Sequence, residues 1–218
     1  MNVLIACEES QAVCSAFREV GHTAYSCDVQ ECSGGHPEWH IQDDVLRIIN
    51  GNCTFQTADT HTHTQCGKWD LLIAHPPCTY LTNSSAVRLF KVIDGEHYIL
   101  RSRFEKGMDA RDFFMKFYEA DCEHIAIENP TPSEVFRLPH YSQVIQPYEF
   151  GEPYTKRTCL WLKGLPPLRP TEIVEPLCSW VSGGSKKTDG TPRDSNGMTF
   201  RDSKRKSKTF PGIARAMA

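Results

Sequence analysis

Short apolar runs punctuate this chain, and their lengths separate strands from helices. "NVLIAC" (2–7), "TAYSCDV" (23–29), "WDLLIA" (69–74), "HIAIEN" (124–129), "VIQPYEF" (144–150) and "TCLWLKG" (158–164) are too short for helices and rich in β-branched and aromatic residues. "LLIA" and "IAI" are continuously apolar, which fits strands covered on both faces, as in a parallel sheet. Between the first two runs, "SQAVCSAFREVG" (10–21) predicts a helix with Ser10 as N-cap, Val13, Phe17 and Val20 on one face, and Gly21 at its end. A second helix is predicted over 106–120, where Met108, Phe113, Phe114 and Phe117 make an apolar face ahead of "HIAIEN". Strands alternating with helices predict an α/β, mostly parallel doubly wound sheet, with ligands at the carboxyl ends of its strands. Two stretches break the pattern and read as loops: a polar insertion at 50–67, and 176–206, rich in Gly, Ser and charge.

Composition narrows this further. With 218 residues, 39% of them hydrophobic, the chain is expected to fold as one unit, 1–218. No run of eighteen apolar residues occurs and "MNVLIACEES" lacks a basic leader region, so a cytoplasmic protein is expected. Ten cysteines in that setting read as thiols, metal ligands or a nucleophile rather than as disulfides. The net charge of −3 gives no global attraction to nucleic acid, but between Lys186 and Lys208 eight basic residues face three acids.

The chemistry concentrates at two strand ends. "WDLLIAHPPC" closes an apolar strand on two prolines, each fixing φ near −65°, so Cys78 is held on a backbone with few alternatives. "IAIENP" places Glu128 and Asn129 at what the alternation makes a neighbouring strand end. A thiol and a carboxylate on adjacent strand tips can converge on one small ring.

These residues, in this order, resemble the DNA cytosine-5 methyltransferase family, in particular its small phage-type members. "NVLIACEESQAVCSAFREVGHTAYSCDV" is similar to the family's first strand, cofactor loop, helix and second strand, and "IQDDV" to its third strand's acidic end. "DLLIAHPPC" is similar to the catalytic Pro-Cys motif, "IAIENP" to the motif with the catalytic Glu, "GEPYTKRTCLWL" to a later motif with a basic residue beside the base, and "SKTFPGIARAMA" to the closing segment that packs a helix beside the first strand.

The resemblance implies a Rossmann-like class I methyltransferase fold without a large target-recognition domain. It implies transfer of a methyl group from S-adenosylmethionine to cytosine carbon 5 in DNA, with the base flipped out or single-stranded. Cys78 would be the nucleophile, Glu128 would bond the base at N3 and its amine, and Arg157 would offset charge. Cys7, Glu8, Glu9, Ser10, Asp28, Asp43, Asp44, His75 and Pro76 would hold the cofactor. Pro77, Asn129, Lys156, Lys204, Arg205 and Lys206 would face substrate or DNA, the 176–206 loop serving as a reduced recognition element of low sequence specificity.

Other readings remain open at this level. Where the family carries glycines after the first strand this chain has "ACEESQA", which favours an inactive relative acting as a nucleotide- or nucleic-acid-binding, anti-defence module. Another Cys/Glu-dependent pyrimidine modification fits the same pair. Cys53, His61, His63 and Cys66 offer four potential zinc ligands within 50–67, although their spacing fits no standard finger, and Cys27, Cys32, His36 and His40 offer four more, where "SGGHPEWH" reads rather as the loop after the second strand, contacting cofactor or substrate. The preferred reading has no metal.

Overall fold

The computed structural model describes residues 1–86, 88–180 and 207–218. Seven strands form the central sheet: β1 (Asn2–Ala6), β2 (Thr23–Asp28), β3 (His40–Gln42), β4 (Leu71–Ala74), β5 (Ile125–Pro130), β6 (Gln143–Ile145) and β7 (Thr158–Lys163). Their order is β6-β7-β5-β4-β1-β2-β3; the pairs from β5 to β3 are parallel, whereas β7 runs antiparallel to both β5 and β6. The expected mostly parallel α/β sheet is therefore present.

Successive side chains on a strand point to opposite faces, and here they sort into two cores. Leu4, Ala6, Leu72, Ala74, Ile125 and Ile127 face Phe114 and Phe117 of helix α2 (Arg101–Tyr118), where Phe114 meets Trp161 edge-on at 5.0 Å. Val3, Ile5, Leu71, Ile73 and Ala126 face Val13, Cys14, Ala16 and Phe17 of helix α1 (Ala12–Glu19) and Ala214 of helix α3 (Pro211–Met217). Each fully buried Phe or Leu contributes about 1.5–3 kcal/mol by leaving water. Covering both faces explains why the central strands read as unbroken apolar runs.

Several boundaries differ from the expectation. Helix α1 has Gln11, not Ser10, at its N-cap, and no side chain of the cap residue bonds the helix. The capping acceptor comes from farther back: the Glu8 carboxylate accepts the N–H groups of Val13 at 2.6 Å and Cys14 at 3.1 Å. Helix α2 begins at Arg101, five residues earlier than its apolar face indicated. Of "VIQPYEF" only Val144 and Ile145 are in β6, because Pro147 starts a 3-10 turn at Pro147–Glu149. The 50–67 stretch is an antiparallel hairpin, Cys53–Gln56 with Thr62–Gln65. A second hairpin pairs Phe90–Ile93 with Glu96–Ile99. Among the described residues no helix is long and apolar enough to cross a membrane.

Candidate active site

Strand register lines up the candidate residues. Ala6 of β1 pairs with Cys27 of β2 and Ala74 of β4, and Ala74 pairs with Ile127 of β5. One residue beyond these pairs, Asp28, Cys7, His75 and Glu128 stand side by side along the carboxyl edge. Because β7 is antiparallel to β5 and pairs Thr158 with Pro130, the chain enters it at this same edge, which brings Lys156 and Arg157 there as well.

The loop carrying Cys78 is tied at several points. The His75 N–H donates to the Ala6 carbonyl at 2.9 Å, and the Asn129 amide donates to the Pro76 carbonyl at 2.8 Å. Beyond the prolines, the Cys78 carbonyl accepts the N–H groups of Leu81 and Thr82. Asn129 thus serves to clamp the loop; its buried Oδ1 has no bonding partner among the described residues.

Electrostatics link three side chains. Burial, reinforced by the Glu128 charge, pushes the Cys78 thiol above its ordinary value, while Lys156 opposes the shift. Burial also works to raise Glu128, but Lys156 and the His75 ring, whose Nδ1 lies 3.0 Å from Oε2, together outweigh it and hold the carboxyl below its ordinary value. Lys156 is buried, with Nζ over the Phe210 ring at 5.8 Å. Arg157 is exposed and donates to Thr131 Oγ1 and the Tyr141 hydroxyl, both at 3.1 Å. The basic side chain beside the Cys–Glu pair is therefore Lys156, where the sequence had pointed to Arg157, because neighbouring residues of an extended segment project to opposite sides.

A cavity of about 380 Å³ opens in front of Cys78, lined by the 7–10 segment, Asp28, Gln30, His75, Pro77, Thr79 and residues 207–209. The lining segment 7–10 is bounded by a glycine-type backbone without glycine: Cys7 and, just beyond it, Gln11 take φ of 58° and 57°. Such a conformation costs on the order of 1 kcal/mol or more in a residue with a side chain. It is held by Gln11, whose amide donates to the His36 carbonyl at 2.8 Å and whose oxygen accepts the His36 N–H at 3.1 Å. Gly34 makes this approach possible, since an added Cβ would lie 2.5 Å from the Gln11 Cβ.

Not every expected residue reaches the cavity. Asp43 pairs with Arg47 and Asp44 caps a 3-10 turn by accepting the Leu46 N–H, and neither lines the wall; nor does Pro76. Gln30, Thr79 and Thr209 line it unforeseen, as does Lys208, noted only for its charge, which donates to Ser33 Oγ at 2.9 Å. Lys204, Arg205, Lys206 and most of the basic segment lie outside the described residues.

Neither candidate zinc set gathers. Cys53 faces the Ile48 carbonyl, His63 bonds the Tyr25 hydroxyl, His61 pairs with Asp59, and Cys66 is exposed. In the other set, Cys27 points to the Asp43 carbonyl, His36 stacks on Trp39, and buried His40 bonds Ser26 and Gln30. Among the described residues no group of three or more His, Cys, Asp or Glu could hold a metal ion.

No family model and no curated protein matches the chain. Among solved structures it is similar to the Entamoeba histolytica methyltransferase EhMeth, at 13% identity and a TM-score of 0.47, over 80% of this chain and 57% of that one. It is also similar to a prophage-encoded E. coli protein assigned as a DNA modification methyltransferase, at 13% identity and a TM-score of 0.42, over 86% of this chain and 56% of that one. Both likenesses are loose, and the chain spans little more than half the length of either protein.

Proposed function

We propose that this protein transfers a methyl group from S-adenosylmethionine to carbon 5 of cytosine in DNA through a covalent Cys78 adduct. The observation that carries the reading is the convergence of Cys78, Glu128 and Lys156 at one sheet edge, each within electrostatic reach of the others. Attack by Cys78 on cytosine carbon 6 forms the S–C6 bond and makes carbon 5 nucleophilic. The Glu128 carboxylate accepts a hydrogen bond from the exocyclic amine and, once protonated, donates to N3, while Lys156 stabilises the charge that develops as the ring is attacked. After carbon 5 is alkylated its proton passes to solvent water, the C–H electron pair re-forms the C5–C6 double bond as the C6–S bond breaks, and the sulfur of Cys78 is restored. The base must leave its stack to reach a thiol set among strand tips.

The cavity residues fit the cofactor. A space of this volume suits a nucleoside-sized ligand, and Glu8, Glu9 and Asp28 give its lining the acidic character a sulfonium cation favours. When bound, S-adenosylmethionine supplies an activated methyl group. Asp28, at the tip of β2, is placed for ribose hydroxyls. Because Glu8 already takes the α1 N–H groups, the ligand's carboxylate falls to Ser10 and Lys208. The left-handed backbone at Cys7 and Gln11 supports binding here without glycine and weighs against an inactive module.

The test is adduct trapping. DNA containing 5-fluorocytosine, mixed with the protein and cofactor, should yield a denaturant-stable complex that Cys78→Ser abolishes. Lys156→Ala should slow its formation by at least about tenfold, and Arg157→Ala far less. No adduct with the wild-type protein, together with no new 5-methylcytosine in DNA of an expressing host, overturns the proposal.

A further inference from the structure

The ring of His75 is unused by the reading above, yet it is built into the site. It lies in the same fixed loop as Cys78, its side chain is only 10% exposed, and it forms part of the wall of the Cys78 cavity. Nδ1 bonds Glu128 at 3.0 Å, whereas Nε2 is buried with no bonding partner among the described residues. A buried ring nitrogen left without a partner costs about 1–3 kcal/mol unless it has a use.

With Glu128 ionised, the Nδ1 position carries the hydrogen and the Nε2 lone pair is free to accept a proton. The base and orienting carboxylate of the sets that activate catalytic thiols elsewhere are thereby in place, and Cys78 shares the cavity wall with His75 without bonding Nε2 directly. The Cys78 thiol needs such a base, since its surroundings keep it protonated.

We infer that His75 relays the Cys78 thiol proton to Glu128, making a Cys–His–Glu set of what would otherwise be two independent side chains. This inference rests on the cytosine reading for the proton's final destination. As the S–C6 bond forms, the S–H bond breaks and its proton passes to Nε2 through one water in the cavity that the two side chains share. The Nδ1 proton then moves to Glu128, which delivers it to N3 of the base. The electron pair displaced from the C5–C6 bond is thereby balanced by N3–H, and the ring stays neutral. The reverse transfer restores the thiol on release.

Charged and titratable groups surround His75: Glu8 at the tip of β1 and Glu128 on β5 interact with it, Cys7 stands beside it along the sheet edge, Lys156 acts on Glu128, and Cys78 lies on the same loop. A shift in pH alone therefore cannot assign the proton, and substitution is required. The test reads Cys78 alkylation by iodoacetamide in the free protein, quantified on the Cys78 peptide by mass spectrometry. His75→Gln keeps a hydrogen bond to Glu128 but cannot take up a proton. It should slow alkylation at pH 7 by at least about tenfold and leave a rate that simply follows hydroxide. The wild-type profile should instead show a reactive plateau near neutrality.

Equal rates in wild type and folded His75→Gln overturn the relay, as does a wild-type profile without the plateau. The second criterion stands even if the variant does not fold. The two proposals fail separately. An adduct with 5-fluorocytosine DNA that forms as fast in His75→Gln leaves the methyl-transfer reading intact. His75-dependent alkylation without any adduct keeps the activated thiol and removes cytosine as its target.

Discussion

At the scale of single residues, Glu128 has a measurable signature apart from catalysis. Its folded-state carboxyl lies below the ordinary value of 4.5 despite burial, because Lys156 and His75 favour the ion. A carboxyl lowered by folding contributes stability that is complete above the range where the unfolded chain titrates, and that is lost as pH falls through the folded value. The unfolding free-energy difference between wild type and Glu128→Gln should therefore be constant from about pH 8 to 6 and shrink as pH falls below about 4.5. A difference that grows on acidification would show that burial dominates and that the carboxyl is held neutral. The strand-end positions of Cys78 and Glu128 were legible in the sequence because proline and the ends of apolar runs are local signals. The partner lysine was not: Lys156 and Arg157 are adjacent, and only the direction in which β7 enters the sheet decides which one turns inward.

At the scale of elements, helix α1 shows how a motif can change its chemistry while keeping its shape. Its first N–H groups are satisfied by Glu8, a buried side chain that precedes the N-cap by three residues. Burial raises the Glu8 carboxyl, and the bonds from Val13 and Cys14 work against that rise. Glu8→Ala should leave two buried donors without an acceptor and cost about 2–4 kcal/mol in urea unfolding. Glu8→Gln, which retains one carbonyl oxygen, should recover roughly half of that loss. A cost under about 0.5 kcal/mol for the alanine variant would mean that water reaches the helix end. The helix and its end at Gly21 were legible from the period of Val13 and Phe17, and Gly21 does take φ of 88°. The cap was not, because Ser10 is the usual residue type for the role and Glu8 reaches it only through the left-handed turns at Cys7 and Gln11.

At the scale of the whole molecule, the β4–β5 neighbourhood was legible from the alternation of strands and helices, whereas the place and direction of β7 were hidden. Periodicity reports which face a residue presents to a core, and both faces here are covered, so no residue on β7 marks which neighbour it will pair with. The same blindness applies to the Phe90–Ile99 hairpin, whose Val92, Ile93, Tyr98 and Ile99 have strand-core composition yet are all exposed. Its Asp94–Gly95 turn, with both φ angles positive, is a local signal that sets the reversal and the pairing of its strands. The body in turn does not need it: the hairpin is closed at its base by Leu100 donating to the Leu89 carbonyl, and only Leu89 enters the core. Joining Leu89 to Leu100 through Asn-Gly, with 90–99 removed, should therefore change unfolding by less than about 1 kcal/mol, or about 2–4 °C in melting temperature. Cooperative loss of the fold would show instead that these eight exposed strand residues pack against the body. With the fold intact, an adduct yield that falls in the shortened chain would support contact of the exposed strands with DNA, because an apolar surface that does not stabilise the fold is left with contact to a partner as its role.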